Sequence, residues 1–165
     1  MPRKQNKGSK YVNLLPDDKY NSLLIRRFAN MLMKDGKYTK AYSALCRALE
    51  DTVEHRNKGL NEEEKQKAVI DLVELLIEKA GPDVEVKTRR LGGANYLVPI
   101  VVKKERRVSL AFRWLIKFSR KRVGSINECL KKEFIDLLED RGGTFNEKLN
   151  LHRMAAAHMA FANIK

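Results

Sequence analysis

The chain has 165 residues, 43% of them hydrophobic, which fits one domain with a real core and excludes wholesale disorder. Lys plus Arg number 34 against 21 Asp plus Glu, and a net charge of +13 ordinarily answers to a polyanionic partner. No apolar run approaches the roughly 18–20 residues that cross a bilayer, Cys46 and Cys129 make no Cys-x-x-Cys pair, and the N-terminal ten residues lack the apolar core of a secretory signal. Neither a membrane protein nor a disulfide scaffold is expected.

The first 15 residues read as a basic tail, with Arg3, Lys4, Lys7 and Lys10 and no acid in its first ten. Pro16-Asp17-Asp18 offers caps for a first helix through about Lys34, with Leu24, Phe28 and Leu32 on its buried stripe and Asp35-Gly36 closing it. A second helix, Tyr38 to Arg56, places Ala41, Leu45, Ala48, Leu49 and Val53 on one face. Asn61 and Glu64 have capping-box spacing and open a third, with Val69, Leu72, Val73 and Leu76 inward and Gly81-Pro82 as its stop.

The period then changes from helical to alternating. Val84-Glu85-Val86-Lys87-Thr88-Arg89 reads as a strand with one apolar face, Leu91–Asn95 as a turn, and Tyr96 to Val102 as the returning strand. Pro99 fits because both strands of a two-stranded ribbon are edges. Such a ribbon is marginal alone and must lean on helices or a partner. A fourth helix, about Lys104 to Val123, turns Leu110, Ala111, Trp114, Leu115 and Phe118 inward and Arg106, Arg113, Lys117, Arg120 and Lys121 outward. Ser125 with Glu128 predicts a capping box for a fifth helix carrying Ile126, Leu130, Phe134, Leu137 and Leu138, which Gly142-Gly143 should end. Thr144 with Glu147 predicts a second box before a last helix, where Met154, His158 and Phe161 line up. The expected architecture is mainly α: a single domain over residues 1–165, about six helices in a bundle, with a protruding two-stranded β-ribbon arm at 83–103.

Charge is segregated along this plan. Residues 11–86 hold 12 basic and 14 acidic groups, and 123–165 hold six of each, whereas 87–122 holds 12 basic groups and only Glu105. A lone charge run is usually a solvated face. Here tail and centre are both basic, and concentrated positive charge attracts phosphates and releases their counterions. The ribbon is narrow enough to enter a groove or follow a backbone. Lys87, Arg89 and Arg90 lie near its tip, and its glycines let phosphates approach main-chain N–H groups. Tyr96 is its only aromatic residue, so base stacking is not the leading mode, and Trp114 reads as core. His55, His152 and His158 lack metal-ligand spacing, and no P-loop, nucleophile elbow or carboxylate pair is present, so neither an enzyme, a cofactor nor a metal is expected. A DNA-architectural protein whose arm wraps a minor groove is the other reading that composition permits.

Four segments, in order and at matching spacing over nearly the whole chain, carry a resemblance. They are Pro16-Asp17 with Phe28-Ala29-Asn30-Met31-Leu32-Met33-Lys34-Asp35-Gly36-Lys37 and Ala41; Val84 through Gly93 with Tyr96 and Val98-Pro99; Arg113-Trp114; and His152-Arg153-Met154-Ala155 with Ala160-Phe161-Ala162. Together they resemble the bacterial and organellar small-subunit ribosomal protein seven family. The resemblance implies a non-enzymatic protein that binds the three-prime major domain of small-subunit rRNA and nucleates head assembly, near the exit-site tRNA and the mRNA path. It implies ribosomal proteins nine and eleven as neighbours, no homo-oligomer, and a place in the ribosome of a mitochondrion, another organelle or a bacterial cytoplasm, with the AT-rich residue usage leaning to the organelle. By motif, the implied rRNA-facing residues are Arg3, Lys4, Lys34, Lys37, Lys87, Arg89, Arg90, Arg113, Lys117, Arg120 and Arg153, and the tRNA-proximal tip is Gly92, Gly93, Ala94 and Asn95. Ala94-Asn95 stands where the family usually has Ser-Thr, Lys79-Ala80-Gly81-Pro82 replaces an Asn-x-x-Pro run, and the 57–67 region is longer than usual.

Overall fold

The structure, a computed structural model, describes residues 15–57, 59 and 61–161. Among these residues the order is α1 Leu23–Leu32, α2 Tyr38–Arg56, α3 Glu62–Ala80, β1 Val84–Leu91, β2 Ala94–Val101, α4 Lys104–Ser119, α5 Ile126–Leu138, α6 Gly142–Ala157 and a 3-10 turn Met159–Phe161. This is the mainly helical bundle with a β-ribbon that the periodicities predict.

The core forms where the apolar stripes meet. Phe28 of α1 stacks on Phe112 of α4, with ring centroids 4.3 Å apart, and sits tilted against Phe134 of α5 at 6.1 Å. Leu45 and Leu49 of α2 and Val69, Leu72 and Leu76 of α3 close around them. The predicted inward residues Leu110, Ala111, Trp114 and Leu115 are buried, but so are Phe112, Ile116 and Ser119. The reason is position: α4 packs against α1, α3, α5 and α6, so one narrow stripe of it remains outside.

Several helix ends differ from the sequence expectation. Asp17 caps nothing; it is buried, and its carboxylate accepts the N–H groups of Tyr20 and Ser22, each at 2.8 Å, and the Tyr42 hydroxyl at 2.9 Å. It ties the approach to α1 onto α2, and Ser22 is the actual cap of a helix that stops at Leu32. At α3 the box forms as expected, with Glu64 accepting the Asn61 N–H at 3.1 Å. At Ser125 the backbone takes the cap conformation with no side-chain cap bond. α4 ends at Ser119, short of Val123.

The largest correction concerns Gly142-Gly143, which do not end α5 but begin α6. Thr144 is therefore no cap: it is buried inside the helix, and its hydroxyl donates to Glu133 at 2.7 Å. An acceptor supplied by α5 replaces the local one. Met154 is half exposed, and α6 buries mainly Thr144 and Ala155. Gly143 is required by proximity, because a Cβ there would overlap the Phe118 ring. Gly143→Ala is expected to lose about 1–2 kcal/mol, the overpacking cost outweighing the better helix propensity of alanine. A lowered urea midpoint at unchanged slope would show it; an unchanged midpoint would refute it.

In the ribbon, Val84 pairs with Val101 and Leu91 with Ala94, so the turn is only Gly92-Gly93, both at positive φ, +55° and +90°. That two-residue turn matches the twist of its strands and requires glycine-like backbone freedom. Leu91, Ala94 and Asn95, expected in the loop, are strand residues. Pro99 opposes Val86, and the ribbon leans on α6 and the 3-10 turn, with Val98 buried.

Candidate nucleic-acid interface

The ribbon projects from a base held by several polar contacts. Lys148 of α6 donates to the carbonyls of Lys79 and Glu78 at 2.9 and 3.3 Å, closing the C-terminus of α3, and burial pushes its ammonium below the usual lysine range. Arg107 of α4 covers Gly81, where a Cβ would strike its side chain, and pairs with Asp83 at 3.2 Å. The Asp83 N–H donates to Nε2 of His152, at 3.2 Å. Arg106 grips Glu85 with two donors at 2.6 and 3.3 Å. The arm therefore leaves the bundle at an angle set by α4 and α6.

Glu85 is the acid at the centre of this base. The Arg106 hydrogen bond holds its carboxyl below the usual carboxylate range, with the Arg106, Lys87 and Arg113 charges helping. A depressed carboxylate contributes stability that is complete above its unfolded pKa and lost as pH falls through the folded one. Protection of the Val84–Val86 amides, measured against their intrinsic exchange rates at each pH, is thus expected to hold at neutral pH and to fall only below the ordinary carboxylate range. Glu85→Gln should abolish that acid step, and an unaltered step in this variant would show that Glu85 is not its source.

From this base a line of cations runs in both directions. Toward the tip, Lys87, Arg89 and Arg90 are exposed on β1, and by strand alternation Arg89 and Arg90 belong to opposite faces. The tip itself, Gly92, Gly93, Ala94 and Asn95, is exposed. In the other direction Arg106, Arg113, Lys117 and Arg120 share the outer stripe of α4 at helical spacing. Arg120 also donates to the Leu32 carbonyl at 2.9 Å, and there it joins Lys34 and Lys37 around one recess of about 320 Å³. Arg153 is exposed on α6. Arg3 and Lys4 lie outside the described residues.

Pairing sorts the surface cations in part, and within the line Arg106 is itself held by Glu85. Lys19, Lys65, Lys79 and Lys131 are paired with Glu50, Glu54, Asp140 and Asp51. Among the described residues, Lys34, Lys37, Lys87, Arg90, Arg113 and Arg153 have no carboxylate at ion-pair distance. Lys117 departs from the expectation, because it bonds Glu147 at 2.7 Å and bridges α4 to α6. Sequence reasoning missed Lys40, which lines the recess beside Lys37; its position one turn along α2 was the available signal. It also missed the positioning parts of Arg106 and His152, whose partners lie far away in sequence.

A family model described as ribosomal protein S7p/S5e matches residues 2–159. A protein of Syntrophobacter fumaroxidans named small ribosomal subunit protein uS7 is 40% identical over 166 residues, covering 100% of this chain and 99% of its own length. The same name belongs to a protein of Xylella fastidiosa strain M12, 42% identical over 154 residues and covered to 93% on both sides, and to one of Dichelobacter nodosus at 39%.

Proposed function

This chain belongs to the S7p/S5e family of ribosomal proteins, structural and non-enzymatic constituents of the small subunit, and on that premise we propose that it binds the three-prime major domain of small-subunit rRNA and nucleates folding of the head. The observation that carries the reading is the line of exposed cations from Arg90 through Arg113 to the Lys34, Lys37 and Arg120 recess, with few carboxylates along it. A ribbon and a helix stripe held at a fixed angle present charge to phosphates of separate RNA helices. The deep major groove of A-form RNA hides its base edges, so recognition rests on backbone, two-prime hydroxyls and junction shape.

The whole chain acts as one binding unit in this proposal. The tip residues Gly92 to Asn95 lie toward the exit-site tRNA and the mRNA path, Arg3, Lys4 and Arg153 add rRNA contacts, and proteins nine and eleven are the neighbours. The named relatives are bacterial, which favours the bacterial over the organellar location.

The test is a titration of the purified chain, across a salt series, against a head-domain rRNA fragment and a length-matched DNA duplex. Binding to the fragment should persist at salt concentrations where the duplex dissociates. Equal affinities that collapse together would reduce the surface to a generic polyanion binder and overturn the proposal.

A further inference from the structure

The segment 11–86 is nearly neutral by count, yet the fold sorts its charges. On α2 the cations Lys40 and Arg47 lie in the first half, Glu50, Asp51 and Glu54 follow in the second, and Arg56 stands apart in the last turn. The acids are consumed: Glu50 pairs with Lys19, Asp51 with Lys131 and Glu54 with Lys65. Lys40 and Arg47 are exposed, and among the described residues neither has a carboxylate partner. Three lysines, at 34, 37 and 40, outnumber the one acid, Asp35, around the start of a helix whose first turn holds no acid, against the preference of the helix dipole. A local rule broken at such a place is expected where a ligand supplies the missing charge.

The geometry gives these cations a common channel. Thr39, Lys40, Ser43, Ala44, Arg47 and Asn127 line a recess of about 350 Å³ between α2 and the start of α5. It adjoins the recess of Lys34, Lys37 and Arg120, because Lys40 lines both. Lys40, Ser43 and Arg47 follow one another at helical-turn spacing, about 5 Å apart along the axis. Thr39 and Ser43 hydroxyls and the Asn127 amide each donate and accept, so they suit phosphate oxygens on one side and two-prime hydroxyls on the other.

We propose that this channel along α2 is a second RNA-backbone track, gripped by Lys40 and Arg47 with Thr39, Ser43 and Asn127, and continuing the basic line past Arg120. The proposal rests on the RNA-binding reading above and adds a separate contact to it. Two tracks joined at Arg120 bind one RNA in two places, and the second engagement benefits from the high local concentration created by the first.

The experiment compares wild type, a Lys40→Glu/Arg47→Glu variant and an Arg56→Glu/Lys67→Glu variant, which makes the same charge change on exposed cations away from the channel. Binding to the head-domain rRNA fragment is measured across salt, with hydroxyl-radical footprints of each complex. The Lys40/Arg47 variant should bind about 10–100-fold more weakly, lower the salt slope by about two and lose protection over one backbone segment. Glutamate at position 40 suits the start of a helix, so folding should survive, and Lys40→Gln/Arg47→Gln provides a neutral variant with the same expected loss of protection. Wild-type affinity, slope and footprint in these variants would overturn the proposal and leave the channel to an acidic protein partner. An equal loss in the Arg56/Lys67 variant would overturn it too, by showing only net charge. If the wild-type chain itself fails to prefer the rRNA fragment over duplex DNA, the RNA-binding reading falls, a result distinct from either.

Discussion

Reversing Arg89 and Arg90 together to glutamate is expected to weaken binding to a head-domain rRNA fragment by about 100-fold and to lower the salt slope by about two. Each charged hydrogen bond to phosphate is worth about 1.5 kcal/mol or more, and losing two such contacts gives roughly the stated factor. Counterion release gives the slope, since each phosphate no longer neutralised removes nearly one unit. The two residues belong to opposite faces of β1, so together they reach phosphates on both sides of the ribbon. The turn and the base contacts at Asp83 and Glu85 are untouched, so the arm should keep its geometry. Affinity and slope equal to wild type would remove the arm from the interface.

Glu133→Ala should be the most damaging single change of a polar residue, lowering stability by about 3 kcal/mol. Glu133 is 1% exposed, and its carboxylate serves three elements at once. It accepts from Arg122 beyond α4 at 2.6 and 3.1 Å, and from the Thr144 N–H and hydroxyl of α6 at 3.0 and 2.7 Å. Arg122 retains Asp136, so its charge is not left wholly alone, but both Thr144 donors lose their acceptor inside the fold. For a chain of this size the melting temperature should fall by roughly 10 °C. Glu133→Gln can keep its oxygen on Thr144 but then turns an amide NH2 toward the Arg122 donors and loses both of those hydrogen bonds. It should fall by less only because the buried Thr144 donors stay satisfied. Melting of the alanine variant at the wild-type temperature would mean that the network is not cohesive. Because α6 carries His152, the acceptor at the base of the ribbon, the alanine variant should also speed exchange of the Asp83 amide.

Wherever one local rule acts alone, the sequence is a faithful guide. Three- and four-residue spacing of apolar side chains gives α2 and α3 nearly to their ends, and alternation beginning at Val84 gives the ribbon. Charge counting finds the 87–122 stretch, and four short segments identify the family. These are properties of neighbours along the chain, and one-dimensional reading captures them.

Partners distant in sequence decided the rest. Asp17 looks like a helix cap until Tyr42 of α2 is seen to bond it, and Thr144 looks like another until Glu133 is found beside it. Gly142-Gly143 reads as a stop, but Phe118 presses so close that only glycine admits the start of α6. The binding surface follows the same division. Sequence named Lys34, Lys37 and Arg120 separately, and the packing of α1 against α4 brings them to one recess. It counted Lys40 and Arg47 within a neutral segment, whereas folding pairs the neighbouring acids with lysines elsewhere and leaves those two cations exposed. Net charge is fixed by composition; which charges remain available to a partner is fixed by the three-dimensional pairing that neutralises the others.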